Sequence, residues 1–219
     1  MNRTAFIIDG FNLYHSVKNA SADLGGTSTR WLDINALCNS YLHLVGNGAQ
    51  TQGVYYFSAL AHHLSSVNPG VVQRHQSFIR CLKSTGINVN LARFKEKEIA
   101  FRTSSALGDV CKGVLKRHEE KETDVAIATK LFELLISDQC DTAILVTGDT
   151  DLAPACRTAS RLFPNKTIGF AFPYKRKNKE LAKLTSLSFN IDKRHYAAHQ
   201  FPDPFRLADS TKINKPASW

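Results

Sequence analysis

Four aspartates stand where the chain pattern could give them chemical work. Asp9 closes the apolar run that begins at Thr4, Asp149 and Asp151 follow the apolar run from Thr142 to Thr147, and Asp124 opens a segment with helical apolar spacing. A carboxylate that ends a buried strand needs a partner or solvent, so Asp9 is hard to dismiss as surface decoration. The other three have a simpler reading, because an acid in the first turn of a helix is favoured by the helix dipole. Three separate stretches delivering acids to one sheet edge shift the balance towards a site. Clustered carboxylates repel unless something positive lies among them. A hard divalent cation, Mg²⁺ or Mn²⁺, suits such oxygen ligands and keeps waters for a phosphate substrate. In that setting the chemistry on offer is metal-assisted attack of water on a phosphodiester. Zinc is disfavoured, since no Cys/His spacing accompanies the acids.

The elements that must position these residues read as strands alternating with amphipathic helices. Strands are expected over 4–9, 53–59, 87–94, 142–147, 167–172 and 188–191. Helices are expected over 11–18, after an Asp33 N-cap, from Pro69 to Gly86, from a Thr123 cap, through Leu152 to Leu162, and over 180–187. The stretch 20–29 reads as a loop, and 95–121 as edge strands or a hairpin. Such alternation means an α/β domain with a mainly parallel sheet, whose site lies at the carboxyl ends of the strands.

Lys plus Arg number 28 against 19 Asp plus Glu, a net charge of +9. The excess concentrates after residue 174, where ten basic residues face four acidic ones. A polyanion partner, most simply nucleic acid, or a merely solubilising surface would each account for it. Within that region Tyr174-Lys175-Arg176-Lys177 is the best candidate for phosphate-backbone contact, with a solvated charge run as the alternative. The five cysteines, Cys38, Cys81, Cys111, Cys140 and Cys156, are scattered without C-x-x-C spacing, which favours reduced, mostly buried thiols. No apolar stretch approaches the roughly 20 residues of a membrane helix, and the N-terminus turns polar too early for a signal peptide. A cytoplasmic protein is expected. His15, one helical turn beyond Asn12, could face the site but reads first as a surface histidine, and the pair His62-His63 reads as solvated.

Three short segments resemble the motifs of NYN domains, which belong to the PIN-like nuclease superfamily: Ile7-Ile8-Asp9-Gly10-Phe11-Asn12-Leu13, Glu120-Lys121-Glu122-Thr123-Asp124-Val125 and Val146-Thr147-Gly148-Asp149-Thr150-Asp151-Leu152. The resemblance covers about residues 4–192. It implies a Rossmann-like three-layer PIN-like fold and a Mg²⁺- or Mn²⁺-dependent ribonuclease acting on single-stranded or structured RNA. By position, Asp9, Asp124, Asp149 and Asp151 would be the metal-binding acids of a two-metal site. Asn12 would hold the first acid or a water, Thr147 would sit beside metal or phosphate, and Lys121 would contact phosphate. The second motif departs from the family pattern, with Glu122-Thr123 where a glycine and an apolar residue are usual. Glu122 is then a further ligand or, as the favoured reading, an exposed charge. On this view 1–192 form the NYN/PIN-like domain and 193–219 a basic, loosely held C-terminal tail, and a homodimer is expected by analogy.

Two other classes compete. A catalytically inactive RNA-binding or scaffold module would keep the fold, but would have no reason to keep uncompensated acids. A phosphatase using Asp9 as nucleophile commonly needs a second acid two residues on, where this chain has Phe11.

Overall fold

A computed structural model describes residues 1–104 and 110–219 of the chain; at 100–104, 110–117, 119 and 120 the backbone alone is described. In chain order the elements are β1 (Asn2–Asp9), α1 (Gly10–Asp23), α2 (Ile34–Ser40), α3 (Leu42–Val45), β2 (Ala49–Ala59), α4 (Val71–Ser84), β3 (Asn88–Ser104) and β4 (Val110–Lys121). There follow α5 (Thr123–Ile136), β5 (Thr142–Val146), α6 (Ala153–Leu162), β6 (Thr167–Phe172), α7 (Lys179–Ala182), β7 (Ser188–Asn190), α8 (Lys193–Ala198), β8 (Phe205–Arg206) and β9 (Lys212–Ile213). Seven strands form one sheet in the order β4-β3-β2-β1-β5-β6-β7. Every neighbouring pair is parallel except β3–β4. The chain builds outwards from β1 on one side and from β5 on the other, so the strand order reverses between them. That switch point is where an open α/β sheet leaves a crevice for ligands.

Alternation along β1 explains the layers. Phe6 and Ile8 point into a core shared with α1, α2, α4 and the chain's C-terminal segment, while Ala5 and Ile7 point into a second core under α5 and α6. Burial on both faces is why β1 and β5 read as continuous apolar runs rather than alternating ones. Gly10 is required where β1 turns into α1: a Cβ there would lie 2.5 Å from the Phe57 carbonyl oxygen and 2.6 Å from the Tyr56 ring.

At the amino end of the sheet the β1–β5 pair is tied by charge. The Arg3 guanidinium donates to both Asp141 carboxylate oxygens, at 3.1 and 2.8 Å, and to Asp138. Lys166 joins the same two acids. These hydrogen bonds hold the Asp141 carboxyl well below the usual carboxylate range.

The α/β class, the parallel sheet and the β3–β4 hairpin match the sequence reading; several local expectations do not, among them the helix expected over 180–187, which ends at Ala182. The helix α1 continues to Asp23, because Leu13, Val17 and Ala20 repeat on its buried face and carry the periodicity past residue 20. Glu122, in a left-handed conformation (φ 78°), precedes α5, and Thr123 is its buried first residue rather than its cap. The segment 193–219 is not a loose tail. Tyr196, Phe201 and Ile213 are buried in the core, Trp31 donates from its ring nitrogen to the Pro202 carbonyl at 3.2 Å, and Trp219 lies edge-on to Trp31 at 6.1 Å. Its apolar residues are dispersed among charges and prolines, so no local period announces the packing. Cys38, Cys81, Cys140 and Cys156 are free and buried; Cys111 lies outside the described side chains. No helix among the described residues is long and apolar enough to cross a membrane.

Candidate active site

Asp9 ends β1 beside the end of β5 and is 5% exposed. It caps α1: one carboxylate oxygen accepts from the Asn12 backbone N–H at 2.9 Å. Its other oxygen accepts from the Thr147 hydroxyl, also at 2.9 Å. Thr147 is itself buried, and its hydroxyl oxygen accepts from the Asp149 N–H at 3.1 Å. Asn12 reaches across to the same loop, its side-chain oxygen accepting from the Gly148 N–H at 3.2 Å. Strands β1 and β5 are thus joined at their carboxyl ends by a small network that fixes Asp9 and the backbone of 147–149 together.

Asp149 caps a single 3-10 turn, Thr150–Leu152, through a bond from the Asp151 N–H at 3.0 Å. Asp124 sits in the first turn of α5. Its carboxyl is pushed up from 3.8 to about 6, first by burial and then by the negative charges of Asp149, Asp9 and Asp151. The three sequence segments therefore meet: the four predicted acids share one field at the switch point of the sheet.

Among the described residues no three His, Cys, Asp or Glu side chains are gathered tightly enough to hold a metal ion between them. The donor set still fits Mg²⁺ or Mn²⁺, because such ions are commonly held by one or two carboxylates, with waters and substrate phosphates completing the shell. The raised Asp124 carboxyl reflects its burial first and the negative charges facing it second.

The basic candidates separate. The Lys175 ammonium is 2.5 Å from Asp23, so its charge is committed at the end of α1. Lys177 is exposed. Arg176 lies against the acid loop: its carbonyl oxygen packs so closely on Gly148 that a Cβ there would be 2.0 Å away. Its Nε is buried without a hydrogen-bond partner among the described residues. Arg176 is also close enough to help hold His15 below its ordinary pKa, after burial as the larger cause. His15 is thus half-buried rather than a plain surface histidine. Lys121 ends β4 and is exposed. Glu122 accepts from Arg93 at 2.8 Å, which makes it an exposed, ion-paired charge as favoured. Its left-handed backbone also accounts for the glycine usual at that motif position, since glycine takes such a conformation without strain.

Sequence reading missed a cavity of about 500 Å³ on the α1 side of Asp9, lined among others by Gly10, Tyr14, Tyr56, His75 and Trp219. Its walls come from α1, β2, α4, the hairpin and the C-terminus, so no short motif could have revealed it. His63, expected to be solvated, lies on this wall, stacked on His118 with ring centroids 4.4 Å apart.

The chain is 26% identical over 245 aligned positions to the 6-hydroxy-3-succinoylpyridine 3-monooxygenase of Pseudomonas putida, covering 99% of this chain and 75% of the relative. A crystal structure of a protein of unknown function from Vibrio parahaemolyticus shares the fold, with a TM-score of 0.54 at 18% identity, covering 87% of this chain and 93% of that one. The model of the NYN domain matches residues 3–190, a span that contains β1, α5 and β5 together with all four converging aspartates. With that match across nearly its whole length, the chain belongs to the NYN domain family, a nuclease-like family.

Proposed function

We propose that this protein is a divalent-metal-dependent ribonuclease that hydrolyses RNA phosphodiester bonds at Asp9, Asp124, Asp149 and Asp151. The observation that carries the reading is the convergence of acids from three segments at the β1–β5 switch point, with Asp124 raised to about 6 first by burial and then by the charges of Asp149, Asp9 and Asp151. A Mg²⁺ or Mn²⁺ ion held there would lower the pKa of a water and offset charge on the phosphate.

The residues of the chain have separable roles in this reading. Asp9, with one oxygen fixed by the Asn12 N–H and the other by Thr147, is the acid least free to move. Thr147 and Asn12 orient Asp9 and the 147–149 loop rather than touching the reacting atoms. Asp124 supplies charge that is unfavourable until a cation or a proton arrives, and Asp149 stands among the acids facing it. Arg176, whose backbone packs on the acid loop at Gly148, serves a substrate phosphate, and the exposed Lys177 and Lys121 extend that basic rim. Lys175 contributes less while Asp23 holds it. An RNA substrate, a cytoplasmic location and pairing into a homodimer are parts of the same proposal.

The test is cleavage of end-labelled single-stranded RNA with Mn²⁺ by wild type, Asp9→Asn and Asp149→Asn. Loss of cleavage in both variants supports the reading; equal activity in all three would assign the cleavage to a contaminant. A second reading, oxygenation of an aromatic ring as in the name of the Pseudomonas relative, is favoured by one observation, the ring-lined cavity whose wall includes Gly10, next to Asp9 in the chain. Dioxygen uptake requiring both an aromatic acid and a two-electron reductant would favour it over hydrolysis.

A further inference from the structure

The cavity beside Asp9 has a composition unlike the rest of this surface. Tyr56, Phe78, Phe94 and Trp219 are among the rings on its walls. Phe78 stands edge-on to Tyr56 at 6.4 Å and to Trp219 at 5.6 Å, so the rings come from separate elements and converge. At about 500 Å³ the space falls within the range of small-molecule sites.

The charged side chains on these walls, the imidazoles aside, are of one sign. The lining contains Arg30 and Arg74 and no aspartate or glutamate. Some arginines elsewhere are matched to acids, Arg3 to Asp141, Arg93 to Glu122 and Arg194 to Asp192. Among the described residues Arg30 has no carboxylate partner and reaches only the Ser218 carbonyl, at 3.5 Å. Arg74 donates to the Pro69 carbonyl and the Asn68 side chain, both uncharged. Guanidinium groups without carboxylates, next to aromatic faces, are suited to a bidentate anion carried on a flat ring.

Polar recognition is present as well. Four imidazoles, those of His15, His63, His75 and His118, stand on the same walls. Burial lowers the first three, His75 to about 4, so they are neutral near pH 7 and offer hydrogen bonds rather than charge. The His63 Nδ1 is buried and has no hydrogen-bond partner among the described residues, a polar atom left for a ligand to satisfy.

From these features we infer that the cavity is a binding site for a planar heteroaromatic ring bearing a single anionic group, a carboxylate or a phosphate monoester, with Arg30 as the anion contact and the rings as the stacking surface. The inference rests on neither reading of the acid centre. The ligand's chemistry could come from a free aromatic acid or from a nucleotide, and the two are separable.

Calorimetric titration of the full chain with pyridine-3-carboxylate, with AMP and with cyclohexanecarboxylate tests the inference. One or both aromatic anions should bind and the non-planar acid should not. Arg30→Gln should weaken binding at least tenfold and Ala61→Trp, which fills the cavity, should abolish it. Asp149→Asn should bind as wild type does, whether or not it has lost a nuclease activity. Tighter binding of AMP assigns the site to a nucleotide and tighter binding of pyridine-3-carboxylate to a free acid; either order supports it. No binding of an aromatic anion at millimolar concentration, equal binding of cyclohexanecarboxylate, or unchanged affinity in Arg30→Gln would overturn it. Should Ala61→Trp fail to fold, Arg30→Gln on the rim decides.

Discussion

Replacing Asp124 by asparagine should stabilise the metal-free protein above neutral pH. Its carboxyl moves from 3.8 to about 6 on folding, through burial and the charges of Asp149, Asp9 and Asp151. An acid whose native pKa lies above its unfolded value binds more protons folded than unfolded, so stability falls as pH rises between those values. The penalty is fully present above about pH 6 and absent below about pH 4. A shift of two pKa units corresponds to about 3 kcal/mol at face value. Solvent screening at this half-exposed carboxylate cuts that to about 1–2 kcal/mol. Loss of a favourable charge in the first turn of α5 subtracts about 0.5 kcal/mol more. The expected net gain is therefore about 1 kcal/mol near pH 7.5. Urea denaturation with chelator present, near pH 7.5 and near pH 4.5, measures it, and less than half the gain should remain at the lower pH. Added Mn²⁺ should reverse the ranking by stabilising wild type more than the variant. An Asp124→Asn protein no more stable than wild type near pH 7.5, or one with the same gain at both pH values, would refute the idea that the four acids repel one another.

Thr147→Val removes the hydroxyl that donates to Asp9 and accepts from Asp149, leaving a buried carboxylate oxygen short of a donor. Equilibrium unfolding should register a loss of about 1–3 kcal/mol. Gly148→Ala places a methyl against the Arg176 carbonyl; it should lower Tm by several degrees and abolish any metal-dependent RNA cleavage, and unchanged values for both would mean the loop has room to move. Tyr196→Phe deletes a hydroxyl shared by Ser16 and the Tyr174 N–H. A cost of about 1–2 kcal/mol is expected in urea, whereas a truly loose tail would show none.

The sheet and the acids were legible because both are local signals. A strand buried on two faces writes itself as an unbroken apolar run, and the residue that ends the run is adjacent to it in sequence. Asp9 and Asp149 could therefore be placed at strand ends before their neighbours were known. Asp124 was harder, since an acid opening a helix has an ordinary explanation, and only the charges facing it from β1 and β5 separate the readings. The length of α1 was underestimated because serine and alanine after residue 19 look loop-like, although Ala20 faces the core. Long-range packing hid the rest. Nothing near Tyr196 or Phe201 announces that their partners lie beside α1 and Trp31. The Lys175 and Arg176 side chains look alike in sequence, yet one is bound to Asp23 and the other lies beside Gly148.

The ionic knot of Arg3, Asp138, Asp141 and Lys166 lies at the far end of the sheet from the acids, and its importance is one of alignment. Parallel neighbours β1 and β5 present nearly featureless aliphatic surfaces to each other, which by themselves would tolerate sliding. Successive side chains alternate in direction, so a slip of one residue would swing the carboxylate of Asp9 to the opposite face and away from Thr147. Arg3 pairs with the residue just ahead of β5 and so behaves like a tooth in a ratchet, admitting a single setting of the two strands. The carboxylates at one edge are thereby held in alignment by salt bridges about six residues away, and surface charges remote from the acids set where those acids meet.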